Sequence, residues 1–401
     1  MKRILVIFGT RPEAIKMAPV VKALENSDYF QPVVAVTAQH REMLDQVLEL
    51  FGIIPDYDLG IMRPRQTLFE VTVRALQGLE RVLQEARPDL VLVHGDTTTT
   101  FVGALSAFYF QIPVGHVEAG LRTGNKYAPF PEEMNRRLAA VLSDLHFAPT
   151  ARAAEALKRE GVDPERIFVT GNTVIDALQA VVREDYQFAD ERLLRFLGEG
   201  KRIILVTTHR RENWGEPLRQ VYRALRRVVE RFEDAAVVFP VHRNPVVREA
   251  AEEIFAGLNR VHLMEPLPYA DFANLMARCY LVLTDSGGLQ EEAPSLGKPV
   301  LVLREVTERP EALEAGTVRL VGTGEERVFR EVARLLTDEA AYRQMASAVN
   351  PYGDGQASRR ILEALLHHFG QGPRPEPFLP KVLASTSFCS PPQFCGGEEE
   401  E

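Results

Sequence analysis

Polar side chains follow the first apolar run of the chain, residues 4–8, and their types suit a phosphate ligand. The segment GTRPEAIKMAPV places Arg11 two residues after Gly9, and Lys16 lies on the helix that this segment predicts. Glycine permits close backbone approach, Pro12 favours a helix start, and a guanidinium forks onto phosphate oxygens. A plain turn with solvated charges is the alternative interpretation of this cluster.

Carboxylates follow two further strand candidates and open one helix candidate in the first half of the chain. Asp96 lies in HGDTTTT after residues 90–93, Glu118 lies in HVEAGLRT, and Glu132 lies in PEEMNRR. Asp96 has an ordinary alternative as a helix N-cap, and Glu132 has one as a first-turn acid that matches the helix dipole. Glu118 has apolar neighbours at a strand end and needs a partner there. Acidic groups from separate loops together indicate general acid–base catalysis.

Histidines and arginines follow two apolar runs of the second half. His209 and Arg210 come after residues 203–207, and His242 comes after residues 237–240. Ligands of open α/β sheets bind beyond the carboxyl ends of the strands, so His209 lies where a ligand is expected. A lone histidine is more often a structural or surface residue, and this alternative stays open.

The segment DSGGLQEEAP follows residues 281–284 and is typical of a diphosphate site. Its small residues, Ser286 and Gly287, leave backbone N–H groups accessible at the start of a predicted helix. Glu292, about one turn into that helix, is placed to accept hydrogen bonds from ribose hydroxyls, although a solvated helix acid is the alternative. We therefore predict nucleotide binding in the second half.

The apolar runs are continuous rather than alternating, which is typical of strands buried on both faces of a parallel sheet. They comprise residues 4–8, 33–36, 90–93, 203–206, 237–239, 281–283 and 300–303. Segments with helical periodicity separate them, at residues 15–24, 68–83, 218–232 and 328–336. This order predicts an α/β fold of two Rossmann-like domains that face a cleft, with a boundary near Gly171.

Length and composition agree with two ordinary globular domains, since the chain has 401 residues of which 45% are hydrophobic and 26% charged. A net charge of -9 argues against a nucleic-acid partner, because such binding relies on a basic surface. The N-terminal apolar run is too short for a signal peptide, and no stretch reaches the length of a membrane span. We expect a cytoplasmic protein with no membrane partner.

The sequence carries no motif for a metal or a dinucleotide. Its three cysteines have neither disulfide nor zinc spacing, and neither GxGxxG after a strand nor a Walker motif occurs. We therefore expect no cofactor. Residues 370–401 are rich in Pro, Ser, Gly and terminal Glu, without helix or strand periodicity, and this composition predicts a disordered tail.

Nine long motifs occur in a fixed order: GTRPEAIKMAPV, AQHREMLDQV, HGDTTTT, HVEAGLRT, PEEMNRR, HRRENWG, DSGGLQEEAPSLGKPV, TERPEA and NPYGDGQAS. In this order and spacing, residues 1–369 resemble the non-hydrolysing UDP-N-acetylglucosamine 2-epimerases. The resemblance implies a glycosyltransferase-B-like homodimer. Residues 1–170 would carry the acid/base carboxylates, residues 171–356 would bind UDP, and helix 357–369 would pack back on the first domain.

The resemblance also assigns roles to individual residues. It implies that the catalytic residues are Asp96, Glu118, Glu132 and His209. It implies that the UDP-sugar contacts are Arg11, Lys16, Arg136, Phe272, Ser286, Gly287 and Glu292. It implies a second, activating UDP-N-acetylglucosamine whose neighbours are Gln39, His40, Arg41, Arg210 and His242.

The reaction that the resemblance implies is the interconversion of UDP-GlcNAc and UDP-ManNAc, which feeds cell-surface polysaccharide synthesis. The proton on C2 is poorly acidic because no carbonyl adjoins it, so elimination of UDP to 2-acetamidoglucal, with re-addition, is the expected route. Three alternatives stay open. They are a glycosyltransferase with the same cleft, a hydrolysing epimerase that releases free N-acetylmannosamine, and a non-enzymatic nucleotide-sugar sensor.

Overall fold

The computed structural model describes residues 1–38, 41–63 and 65–380. Its first sheet contains seven parallel strands in the order β3-β2-β1-β4-β5-β6-β7. These strands are β1 (Lys2–Phe8), β2 (Phe30–Val36), β3 (Tyr57–Asp58), β4 (Leu90–His94), β5 (Val114–Val117), β6 (Leu145–Ala148) and β7 (Ile167–Val169). The second sheet contains six parallel strands in the order β10-β9-β8-β11-β12-β13. These strands are β8 (Arg202–Thr207), β9 (Ala235–Pro240), β10 (Val261–Met264), β11 (Leu281–Thr284), β12 (Val300–Val302) and β13 (Val318–Leu320).

Helices connect the strands and cover both faces of each sheet. They are α1 (Arg11–Glu25), α2 (Arg41–Leu50), α3 (Leu68–Ala86), α4 (Thr98–Tyr109), α5 (Glu132–Leu142), α6 (Ala151–Arg159), α7 (Thr173–Val181), α8 (Glu191–Gly198), α9 (Glu216–Arg231), α10 (Pro245–Phe255), α11 (Tyr269–Arg278), α12 (Leu289–Ser295), α13 (Pro310–Glu314), α14 (Glu325–Thr337), α15 (Glu339–Ala346) and α16 (Ala357–His368). Two parallel sheets with crossover helices form the α/β fold that the sequence predicted. All seven predicted apolar runs lie within strands or end one residue past them.

Alternation along the strands divides the buried side chains between two faces. In β1, Ile4 and Val6 pack with α1, whereas Leu5 and Ile7 pack with α3 and α4 on the opposite face. Strand β8 alternates in the same way between two cores. Each fully buried aliphatic side chain contributes about 1.5–3 kcal/mol. These cores fix the strand ends that carry the polar loops.

Helix α16 returns the chain to the first sheet. The carboxylate of Asp176, on α7, accepts hydrogen bonds from the backbone N–H groups of Ala357 (3.1 Å) and Ser358 (2.7 Å) at the start of α16. Ile361 and Leu365 then pack in the same core as α1. The carboxylate of Asp176 therefore acts as the N-cap of α16, although it belongs to a different helix.

The segment that follows α16 is ordered where the sequence predicted the start of a disordered tail. The guanidinium of Arg374 donates to the carbonyl oxygens of Glu165 (2.7 Å) and Ile167 (2.6 Å). The N–H of Phe378 donates to the carbonyl of Val169 at 2.8 Å, and the Phe378 ring is buried. The prediction is wrong for residues 370–380, because these contacts cover the edge strand β7. Residues 381–401 of the predicted tail lie outside the described residues.

Candidate active site

Two of the predicted acid/base carboxylates lie at the carboxyl ends of neighbouring strands. Asp96 follows β4 by two residues, and Glu118 directly follows β5, which pairs with β4. Glu118 has a φ of +62°, in the left-handed region. A residue with a Cβ pays about 1 kcal/mol for this conformation, so the surrounding contacts must hold it there.

The Glu118 carboxylate forms an ion pair with Lys16 of α1. The side-chain amide of Asn172 donates a hydrogen bond to the same oxygen, Oε2, at 2.7 Å, and Nε2 of His94 lies 3.9 Å from it. Burial is the largest single influence and would raise the pKa of Glu118, but the charge and hydrogen bond of Lys16, together with His94 and Arg309, lower the pKa below its usual range. Burial lowers the pKa of His94 to about 4, so this imidazole is neutral. Glu118 is therefore an ionised carboxylate.

Asp96 is tied to helix α5. Arg136 donates two hydrogen bonds to Oδ2 of Asp96, from Nε at 2.9 Å and from Nη2 at 2.6 Å. Asn135 donates to the backbone carbonyl of Asp96 at 2.9 Å. Glu132 precedes Arg136 by four residues and so shares its face of α5. The predicted residues Asp96, Glu132 and Arg136 thus lie together.

Two buried glutamates that the sequence analysis left without a role hold the loops around these carboxylates. Glu13 accepts hydrogen bonds from the N–H of Gly9 at 2.9 Å and from the hydroxyl of Thr97 at 2.6 Å. Burial raises the pKa of Glu13 above its usual range. Glu133 accepts from the N–H of Thr123 at 3.0 Å. In the sequence, Glu13 lies two positions from Arg11 and Glu133 adjoins Glu132, but only their burial in the structure assigns them this role.

His209 is positioned by a buried aspartate. Its Nδ1 lies 2.8 Å from Oδ1 of Asp285, and its backbone N–H donates to Oδ2 at 3.0 Å. Asp285 directly follows β11, which pairs with β8, whose end carries His209. Burial is the largest single influence and would raise the pKa of Asp285, but the hydrogen bond and charge of His209, together with the backbone N–H groups of His209 and Arg210, lower the pKa. Asp285 thereby holds the imidazole with Nε2 directed away from it, and sequence reasoning had missed this role.

The predicted diphosphate segment is shaped by an internal hydrogen bond. The N–H of Ser286 donates to the hydroxyl of Thr284 at 2.9 Å, so this amide is not available to a ligand. Within the described residues, the amide of Gly287 has no acceptor, and a side chain at this position would point into open space. The hydroxyl of Ser286 and the amide of Gly287 can therefore receive a phosphate here.

Glu292 lies at the junction of the two halves. The hydroxyl of Tyr269 donates to its Oε2 at 3.4 Å. Burial raises the pKa of Glu292 to about 7, while Lys16 and Arg11 of α1 act in the opposite direction. Cations of the first half thus lie near a carboxylate of the second. Phe272 lies on α11 and packs against the core of the second half.

A chain of charged groups crosses from the first half to the second. Asn172, which precedes α7, donates to Glu118 and also to Oε2 of Glu291 on α12, both at 2.7 Å. Arg309 pairs with the other oxygen of Glu291. None of Asn172, Glu291 and Arg309 was predicted as a site residue. Glu291 and Arg309 were visible in the sequence only as members of the motifs DSGGLQEEAPSLGKPV and TERPEA.

The structure describes the contacts of only some of the residues predicted to bind the activating ligand. Arg210 donates from Nε to the carbonyl of Asp285 at 3.0 Å. Burial and then the charge of His209 lower the pKa of His242, which places these two imidazoles near each other. Gln39 and His40 lie outside the described residues, and Arg41 is described only as the first residue of α2.

Within residues 1–38, 41–63 and 65–380, no group of three or more His, Cys, Asp or Glu side chains is arranged to hold a metal ion. No helix in that part of the chain has both the length and the apolar composition needed to cross a membrane.

Comparison with known proteins gives concordant matches over nearly the whole chain. The family model for UDP-N-acetylglucosamine 2-epimerase matches residues 22–366. The UDP-N-acetylglucosamine 2-epimerase of Bacillus subtilis (strain 168) is 58% identical over 368 residues, covering 92% of this chain and 96% of its own length.

Solved structures share the fold as well as the sequence. S. aureus MnaA, solved with UDP, is 50% identical with a TM-score of 0.86, covering 94% of this chain and all of its own. The UDP-GlcNAc 2-epimerase of Neisseria meningitidis, solved bound to UDP-GlcNAc, is 48% identical with a TM-score of 0.82, covering 91% of this chain and all of its own. The strand-end carboxylates, the two-sheet fold and these matches agree, and the chain belongs to the UDP-N-acetylglucosamine 2-epimerase family, a family of isomerases.

Proposed function

We propose that this chain interconverts UDP-GlcNAc and UDP-ManNAc by inverting C2 of the sugar, without hydrolysing the nucleotide. One observation carries the proposal: Lys16 pairs with Glu118 and also lies close enough to Glu292 for its charge to oppose the rise in the pKa of that carboxyl. Proton-transfer groups of the first half are therefore next to the nucleotide-binding helix of the second. The product would supply ManNAc-type sugars for cell-surface polysaccharides.

The second half would hold UDP. Ser286 and Gly287 would bind the diphosphate from one side and Arg11 from the other, because guanidinium and backbone N–H groups both suit phosphate oxygens. Glu292 would accept hydrogen bonds from the ribose, and Phe272 would lie beside the uracil. Relatives with the same fold were solved with UDP or UDP-GlcNAc, which supports this choice of ligand.

The reaction proceeds by elimination and re-addition. The C1–O bond to UDP breaks with its electron pair leaving on the diphosphate, and the C2 proton is removed so that a C1–C2 double bond forms. Charge that develops on the departing diphosphate is stabilised by Arg11 and by the amide of Gly287. Re-addition of UDP to C1, with protonation of the opposite face of C2, gives the epimer. The atoms balance without an oxidant or a reductant.

Acid/base groups must flank the sugar ring, because the proton leaves one face of C2 and returns to the other. Asp96, Glu118, Glu132 and His209 are our candidates for these positions. The lowered pKa of Glu118 makes it a weak proton acceptor while Lys16 is paired with it. Within the described residues, the Glu132 carboxylate has no hydrogen-bond or ion-pair partner, so it is free to contact the substrate.

A second UDP-GlcNAc would bind beside the catalytic one and activate the enzyme. Arg210 and His242 support this proposal, because the backbone and side chain of Arg210 contact Asp285, which also positions His209. A ligand that displaced the side chain of Arg210 would release the backbone carbonyl of Asp285 and would therefore act on His209 through Asp285.

We also propose a homodimer formed through the first half. Helices α3, α4 and α5 pack side by side, and their outer faces expose large apolar side chains. These side chains are Phe69, Val73, Phe108, Leu138 and Val141. An exposed apolar surface on three adjacent helices is typical of a protein interface, and a second copy of the chain would bury it against itself.

Incubation of the purified protein with UDP-GlcNAc alone in heavy water, followed by proton NMR, tests the proposal. We expect UDP-ManNAc to appear with deuterium at C2, since the proton that returns has exchanged with solvent. Free N-acetylmannosamine with UDP would indicate a hydrolysing enzyme, and no turnover would indicate a transferase or a sensor. Retention of the original C2 hydrogen throughout would exclude elimination. Replacement of Glu118 or His209 should let 2-acetamidoglucal accumulate.

A further inference from the structure

The side-chain amide of Asn172 uses all three of its principal hydrogen-bonding positions. Its Oδ1 accepts from the N–H of Val174 at 3.1 Å and so caps helix α7. Its Nδ2 donates to Glu118 and to Glu291, both at 2.7 Å. An amide is the only neutral side chain that can cap a helix through its oxygen and bridge two carboxylates through its nitrogen.

The bridge lies inside a compact set of charges. Glu118 is faced by Lys16 of α1, by His94 of β4, by Glu291 of α12 and by Arg309, which precedes α13. The two carboxylates and the two cations balance, and His94 is neutral. The two N–H groups of Asn172 therefore join two anions that would otherwise repel each other at short range.

The far end of the bridge belongs to the nucleotide-binding helix. Glu291 lies on α12, beside Glu292 and five residues after Ser286. The backbone carbonyl of Glu291 accepts from Asn350 at 2.8 Å, so the residue is held at both ends. Any movement of α12 on binding a diphosphate therefore acts on the same amide that holds Glu118.

We propose that Asn172 is a positioning residue for epimerisation, which holds the Glu118 carboxylate in its reactive place and links it, through Glu291, to the diphosphate-binding end of α12. The proposal rests on the proposed function. It adds a role for a residue at the junction of the two halves that acts on the reaction through Glu118 and Glu291.

The substitutions Asn172→Asp and Asn172→Ser separate bridging from capping. Asp and Ser cap helices about as well as Asn, so both variants keep α7. Serine loses the bridge without adding charge, and we expect kcat to fall at least tenfold. Aspartate adds a third carboxylate that titrates together with Glu118. We expect a fall of about a hundredfold at pH 8 and a pH profile of kcat displaced from that of the wild type. The dissociation constant for UDP should stay within threefold in both variants.

A double-mutant cycle tests the link to α12. Glu291→Gln should lower kcat by itself, and the pair Asn172→Ser with Glu291→Gln should lose little more than either single change, because both break one connection. Asp338→Asn is the matched control: it exchanges the acid for the amide at the N-cap of α15 and should leave kcat unchanged.

Unchanged kcat and an unchanged pH profile in Asn172→Asp would refute the positioning role. Parallel losses of kcat, UDP affinity and melting temperature in both variants would also refute it, since they would reduce Asn172 to a structural cap. Absence of epimerase activity in the wild type would instead refute the proposed function itself.

Discussion

Arg136 directs two hydrogen bonds, at 2.9 and 2.6 Å, to a single carboxylate oxygen of Asp96. The other oxygen, Oδ1, has no partner within the described residues and is free to meet a substrate. A guanidinium that binds only one oxygen fixes the orientation of the carboxylate and leaves the other oxygen available to a ligand. The pair therefore joins helix α5 to the end of β4 at the point where proton transfer is proposed.

Asp96→Asn should lower kcat by about 10²–10⁴, the usual contribution of a general acid or base, and leave UDP affinity within threefold. Kinetics with UDP-GlcNAc and calorimetry with UDP measure the two quantities. Glu230→Gln, which breaks an exposed pair with Arg226 on α9, is the control and should be silent. Full activity of Asp96→Asn would remove Asp96 from the mechanism.

Glu292→Gln should stabilise the protein at high pH. Burial raises the folded-state pKa of Glu292 to about 7, above its value in the unfolded chain. The free energy of unfolding therefore decreases as the pH rises from about 4.5 to 7, and this loss is complete above pH 7. Glutamine avoids this loss, and the advantage over wild type should grow to about 3 kcal/mol. Urea unfolding at pH 5 and pH 8 measures it. An advantage that does not change with pH would show that the carboxylate stays ionised.

Buried neutral histidines should make the first half sensitive to acid. Burial lowers the pKa values of His94 and His116 to about 4 and that of His146 to about 3. The unfolded chain binds these protons near pH 6.5, so stability is complete above that pH and falls as the pH drops toward 4. Each histidine contributes a slope of about 1.4 kcal/mol per pH unit. His146→Gln should reduce the measured slope by about that amount, and an unchanged slope would contradict the assignment.

Phe378 and Leu379 provide a matched pair at the end of the described chain. Phe378 is 4% exposed beside β7, whereas Leu379 is 70% exposed. Phe378→Ala should lower the free energy of unfolding by about 3–5 kcal/mol, and Leu379→Ala should change it by less than about 0.5 kcal/mol. Equal effects in chemical denaturation would mean that the segment does not cover the edge of the sheet.

Val141→Glu should dissociate the proposed dimer, because a charge would enter the apolar surface of α3, α4 and α5. Ile54→Glu is the control: Ile54 is equally exposed but follows α2, which packs on the opposite face of the sheet. Sedimentation at several concentrations distinguishes the states. A monomeric wild type, or a dimer that Val141→Glu leaves intact, would exclude this surface as the interface.

The sequence by itself determined the α/β class and the long strands. Continuous apolar runs such as that of β1 predict buried parallel strands without reference to the rest of the chain, because both of their faces need apolar contacts. It also indicated Asp96, Glu118 and His209, since strand ends meet at one edge of a sheet. Short strands such as β3 and β7 were not predicted, because two or three residues are too few to show a periodic pattern.

Only the tertiary structure decided which polar residues form hydrogen bonds and ion pairs with one another. Asn172 and Glu118 are 54 positions apart in the chain, and Asn172 and Glu291 are 119 apart, so no local pattern connects them. The ordered conformation of residues 370–380 likewise depends on β7. Arg374 lies over the ring of Phe168, and the N–H of Phe378 donates to the exposed edge of the strand. The composition of a segment shows how much apolar surface it has. Its burial and its contacts depend on which other segments folding brings next to it. Those contacts determine whether each buried carboxylate is ionised.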